Sequence, residues 1–109
     1  MAGESFKEFV LEQLEGLSGV RCRAMFGGYG VYYGEHFFGI IADDALYFKT
    51  DATTCEPYLE CGMKPFRPSE KQTLKNYYEV PPDVLEEDKE LVAWARQAVA
   101  VQKKTSKKR

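Results

Sequence analysis

Residues 20–49 read VRCRAMFGGYGVYYGEHFFGIIADDALYFK, and the fold turns on how this run is divided. VRCRAMF alternates, with Val20, Cys22, Ala24 and Phe26 on one side and Arg21, Arg23 and Met25 on the other. That is the period of a half-buried strand. YGVYY, HFFGIIA and ALYFK follow, separated by Gly34-Glu35 and Asp43-Asp44, residue types that favour tight reversals. Links this short exclude parallel crossovers, so the run predicts a four-stranded antiparallel meander. HFFGIIA is apolar on both faces, which places it centrally with a helix over at least one side. Gly27-Gly28 is expected to form the first reversal, where a missing Cβ or a positive φ is needed. Gly30 would lie within the second strand, under Trp94 or another aromatic packed against the backbone.

Outward from the meander, the grammar is helical. Residues 5–17, SFKEFVLEQLEGL, carry Phe6, Phe9, Val10, Leu14 and Leu17 at helical spacing, with Ser5 and Glu8 as a capping box and Ser18-Gly19 as the stop. Asp51 opens a second, short helix, DATTCEPYLEC, with Asp51 or Thr53 as its cap and Gly62 as its end. A proline-rich bend then leads to a strand, LKNYYEV, closed by Pro81-Pro82. The last helix is DVLEEDKELVAWARQAVAVQ, with Asp83 and Glu86 as a second capping box, Asp88 able to restart it, and Leu91, Trp94, Ala95, Ala98 and Val99 as its buried stripe. The sum is an α+β fold in two layers, a mainly antiparallel sheet of about four strands plus one or two more with helices packed on it. The order is roughly α-β-β-β-β-α-β-α.

At 109 residues with 44% hydrophobic and 14% aromatic side chains, the chain suffices for one core without staples. Residues 1–102 read as a single domain and residues 103–109 as a basic, disordered tail. No apolar run reaches the length of a membrane span, and MAGESFKEF lacks a signal-peptide core, so a cytoplasmic location is expected. The formal charge is −2, but Lys103, Lys104, Lys107, Lys108 and Arg109 close the chain. The remainder holds ten basic against seventeen acidic side chains, a net −7, which repels phosphate backbones. Nucleic-acid contact would therefore rest on those five residues, helped by Arg21 and Arg23. The acids at the start of the last helix and the lysines beyond its end also have the polarity that the helix dipole favours.

Reactive chemistry finds no frame in this pattern. Gly28-Tyr29-Gly30 starts like a dinucleotide fingerprint, but the third glycine is misplaced and a strand follows where a helix is needed. Cys22, Cys55 and Cys61 form no CxxC pair, and His36 is the only histidine, so neither a metal site nor a disulfide framework is expected. The histidine lies beside a turn, away from any evident nucleophile. Asp43-Asp44 is explained by turn formation. Lys49 reads as a strand-end lysine whose stem covers aromatic surface rather than a cation at a cleft edge. A small-molecule pocket near Tyr29, Tyr32 and Tyr47 remains an alternative that needs convergent polar groups.

RAMFGGYGVY, IIADDALYFKTD, GMKPF and YYEVPPDVLEEDKELVAWARQA together resemble, in order and spacing, the N-terminal domain of the TfoX/Sxy competence regulators. The resemblance spans about residues 5–101, and Met25, Phe26, Gly27, Gly28, Tyr29 and Gly30, with Tyr77, Tyr78 and Pro81, are its signature. It implies a small two-layer α+β domain standing alone, without the C-terminal domain of the longer members. It also implies regulation rather than catalysis, with no catalytic residue and no cofactor. The longer members promote competence by helping a transcription activator, the cyclic-AMP receptor protein, at particular promoters. The expectation is a non-enzymatic regulatory module acting through a protein partner, with self-association to a homodimer open. The alternatives are a nucleic-acid-binding accessory protein using the basic tail, and a small-molecule binder or enzyme of unrecognised type.

Overall fold

The computed structural model describes residues 2–25, 28–69 and 71–107. Helix α1 (Ala2–Gln13) leads into β1 (Val20–Met25), β2 (Gly28–Tyr33), β3 (His36–Ala42) and β4 (Ala45–Lys49). Then come α2 (Glu56–Glu60), β5 (Pro65–Ser69), β6 (Gln72–Glu79), α3 (Pro82–Leu85) and α4 (Asp88–Lys107). The fold is α+β, built on one six-stranded antiparallel sheet in the order β1-β2-β3-β4-β6-β5. The meander is as the alternation predicted, with HFFGIIA at its centre. Two elements refine the expected order: the proline-rich bend contains β5, and the final helix is divided into α3 and α4.

The turns follow from residue type. Asp43 and Asp44 both take positive φ, 52° and 59°, and Gly34 takes +61°; aspartate and glycine tolerate this left-handed region best. Gly62, at +77°, ends α2. Both capping boxes fail. Helix α1 already includes Ala2, so Ser5 lies inside the helix and not at its cap. Pro81 takes the N-cap position of α3, with Pro82 first inside it and no side-chain capping bond, since proline's fixed φ suits that position. Asp83 therefore sits within the turn. Asp51 precedes α2 rather than starting it. Its Oδ1 accepts from the Thr53 and Thr54 amides at 2.9 and 3.1 Å, organising a turn that delivers the chain to the real N-cap, Cys55.

The reversal assigned to Gly27-Gly28 is corrected in part. Gly28 already belongs to β2, paired with Met25; Phe26 and Gly27 lie outside the described residues. What Gly28 lacks is room. A Cβ there would run into the Ile41 carbonyl oxygen, with the Ala42 Cα at 3.3 Å. Gly30 lies under an aromatic as expected, though the ring is that of Phe37 and not of Trp94; the nearest atoms of Phe37 and Met25 would stand 2.9 and 3.0 Å from a Cβ.

The main core lies between the sheet and the helices. Val31, Phe38, Ile41, Leu46 and Phe48 from the strands meet Val10 of α1, Leu14 in the turn that follows it, and Leu91, Ala95, Ala98 and Val99 of α4. Phe38 and Phe48 are fully buried, with rings 5.6 Å apart; each large apolar side chain so buried contributes about 1.5–3 kcal/mol. In β3, Val31 pairs with Gly39 and Tyr32 with Phe37, leaving Phe38 over as a bulge. Phe38 thereby turns to the helices while Phe37 and Ile40 keep to the other face. Tyr58 of α2 wedges edge-on against Trp94, centroids 4.7 Å apart.

The tail expected to be disordered from residue 103 is instead helical as far as Lys107. Lys103 Nζ sits over the Tyr33 ring at 5.8 Å and Lys104 Nζ lies 3.4 Å from Asp51 Oδ2, and the dipole favours cations at this end. Among the described residues, no helix is long and apolar enough to cross a membrane.

Candidate interaction surface

The second face of the sheet carries a cluster made, among the described residues, from strand residues alone. Ile40, Phe66 and Tyr77 are buried in it, with Phe37, Ala42, Tyr47 and Leu74 packed around them. Register explains the arrangement. Arg23 pairs with Gly30, Gly30 with Ile40, Ile40 with Tyr47, and Tyr47 with Glu79. Directly opposed residues share a face, so one row crosses five strands from a cation through an apolar centre to an anion. A parallel row sets Arg21 beside Tyr32 and Tyr32 beside Phe37.

Aromatic contacts knit these rows together: Tyr32 to Phe37 at 5.2 Å, Phe37 to Tyr77 at 5.8 Å, and Tyr47 to Phe66 at 4.7 Å. Arg23 leans over Tyr32 at 5.9 Å and Lys49 over Tyr77 at 5.3 Å, geometries in which a ring attracts a cation. Burial lowers the pKa of Lys49, as expected for a stem laid on aromatic surface. Burial pushes the Tyr77 hydroxyl up to about 12. Tyr47 is also raised, by burial first and then by Glu79 and Asp43. The face is therefore basic at β1, while around Tyr47 the acids Glu79 and Asp43 stand with Lys49 nearby.

The three tyrosines considered as a pocket do not converge. Tyr29 packs with the helix-side core, beneath Lys7 Nζ at 5.1 Å from its ring, whereas Tyr32 and Tyr47 belong to the opposite face. An open groove of about 200 Å3 lies elsewhere, among Leu17, Tyr33, Arg96, Val99, Ala100 and Lys103. Cys22 is half-buried under α1, and burial pushes its thiol up to about 11, the reverse of what a nucleophile needs. Among the described residues no three His, Cys, Asp or Glu side chains gather as a metal site would require.

The signature residues that the structure describes have different tasks. Met25, Gly28 and Gly30 build the close approach of β1, β2 and β3. Tyr78 faces the main core, its ring 6.1 Å from that of Tyr58; Tyr77 faces the second cluster; and buried Pro81 caps α3. Of the residues proposed for nucleic-acid contact, Lys103 and Lys104 fold back onto the body, Lys107 extends α4, and Lys108 and Arg109 lie outside the described residues. The row from Arg23 to Glu79 was missed in the sequence, although the alternation of β1 already set Arg21 and Arg23 on one side.

Compared with known families, residues 12–102 match the TfoX N-terminal domain. The chain belongs to that family. No curated protein matches the sequence. In this TfoX domain Gly28 and Gly30 serve the close approach of β1, β2 and β3, and Gly30 also lies in the charged row on the open face.

Proposed function

We propose that this TfoX domain is a non-enzymatic regulatory module that docks a protein partner on the helix-free face of its sheet. The observation that carries the reading is the row Arg23–Gly30–Ile40–Tyr47–Glu79. An apolar centre between opposite charges suits a complementary protein surface better than a phosphate backbone, which the acid at Glu79 would repel. Transcription regulation in the cytoplasm, with a role related to competence, is the setting that the family supplies, and the cyclic-AMP receptor protein is the first partner to try.

The test compares wild type with Tyr47→Ala and Glu79→Lys as bait, using Glu12→Lys on the exposed side of α1 as the control. The purified receptor protein is tried first and then a lysate of the source. A partner retained by wild type and by the control, but lost from both face variants, is the expected result. Partners that bind all four baits alike, or none at all, overturn it. Truncating the basic end is a poor control, because Lys103 and Lys104 anchor α4.

A nucleic-acid role keeps one observation in its favour, Arg23 over Tyr32. It predicts binding to a single-stranded oligonucleotide that falls steeply with salt. Absent or salt-insensitive binding removes it.

A further inference from the structure

Resting on the docking reading, we infer that the outer edge of β1 accepts an extended peptide strand with acidic residues at alternate positions. The sheet has two edges, and they are unlike. At one end β5 carries Pro65 and Pro68 and pairs irregularly with β6; proline has no amide to donate, which blunts that edge. At the other end β1 pairs with β2 alone, in unbroken register from Val20 to Met25. It contains no proline, so its outward amides and carbonyls remain a template for a further strand.

Side chains select what is added. Arg21 and Arg23 are both exposed and lie two residues apart on the open face. A strand laid antiparallel against β1 brings its own alternate side chains directly opposite them, at cross-strand distance. Acids at those positions are favoured there, while the net negative charge of the rest of the body disfavours such a segment elsewhere. On the other face Cys22 is half-buried beneath α1, so the residue opposite it must be small or apolar.

A second copy fits poorly. The two antiparallel registers that pair five residues of β1 with themselves set Arg23 against Arg21 or against another Arg23, and like charges directly opposed are destabilising. The register that pairs all six sets Arg23 against Cys22, which lie on opposite faces of their strand, whereas opposed residues share a face.

The experiment uses the full chain and three blocked eight-residue peptides: alternating threonine and glutamate, the same with lysine for glutamate, and the glutamate peptide N-methylated along one edge. Amide shift mapping and hydrogen exchange provide the readout. The glutamate peptide is expected to protect amides within Val20–Met25, to bind roughly tenfold better than the lysine peptide, and to lose binding on N-methylation. Arg21→Glu with Arg23→Glu should invert the charge preference. No change at β1, equal binding after N-methylation, a single-stranded oligonucleotide displacing the peptide at low salt, or self-association through β1 in sedimentation would each overturn the inference. If the peptide fails while Tyr47→Ala and Glu79→Lys still lose their partner, the edge falls and the docking face stands.

Discussion

Lys104 Nζ lies 3.4 Å from Asp51 Oδ2, joining the end of α4 to the turn between β4 and α2. The same carboxylate accepts from the Thr53 hydroxyl at 2.6 Å and from the Thr53 and Thr54 amides. The Thr53 hydroxyl, helped by its amide and by Lys104, holds the Asp51 carboxyl down at about 2. A carboxyl lowered in the folded chain stabilises above its ordinary value and loses that contribution as pH falls through the folded one. Asp51→Asn keeps an acceptor but removes the charge. Its melting temperature should lie below that of wild type at pH 6, and the gap should close between about pH 4 and pH 2. Thermal circular dichroism across that range checks this; a constant gap would mean that the charge contributes nothing.

Three glycines should respond differently to alanine. Gly28→Ala forces a Cβ onto the Ile41 backbone, which cannot yield without breaking the β2–β3 ladder. A cost at the upper end of about 1–3 kcal/mol is expected. Gly30→Ala meets only the ends of Met25 and Phe37, which can shift, so its cost should be smaller. Gly34→Ala meets nothing within 4 Å and pays only for its positive φ, about 1 kcal/mol. Urea unfolding should rank Gly28 as most costly, and a larger loss at Gly34 would contradict the packing argument.

Tyr58 is 3% exposed and stands edge-on to Trp94. Tyr58→Ala should cost about 3–5 kcal/mol and shift the emission of the single tryptophan to the red, as water reaches the indole. Tyr58→Phe keeps the ring and should leave the emission in place. An unshifted spectrum in the alanine variant would show that Trp94 is screened by something else.

Cysteine labelling reads burial directly. With its thiol at about 11, Cys22 should react with iodoacetamide at pH 8 roughly a hundredfold more slowly than an unperturbed thiol at about 8.5. Cys61 is exposed and should be alkylated first, as peptide mass spectrometry would reveal. Fast labelling of Cys22 in the native protein would place it outside the packed interface with α1.

The meander was legible because alternation and turn chemistry agree at every step from Val20 to Lys49. Among the helix starts, the restart at Asp88 was legible, but the two capping boxes misled. Ser5 and Asp83 satisfy the local capping pattern, but Ser5 lies inside α1 and Pro82 opens α3 by backbone preference, which the pattern ignores. Strand β5 was hidden by Pro65 and Pro68, residues that exclude a central strand yet suit an edge, and only the finished sheet reveals which it is. The charged row on the open face needed register as well as alternation. Arg23 and Glu79 are 56 positions apart, and neither signals the other.

The prolines of β5 bear on stoichiometry. A sheet that can add a strand at both ends has two valences and can polymerise without limit. With β5 blunted and β1 open, each molecule has a valence of one, so any association through sheet edges stops after a single step. Such a protein can terminate a growing ladder but cannot propagate one.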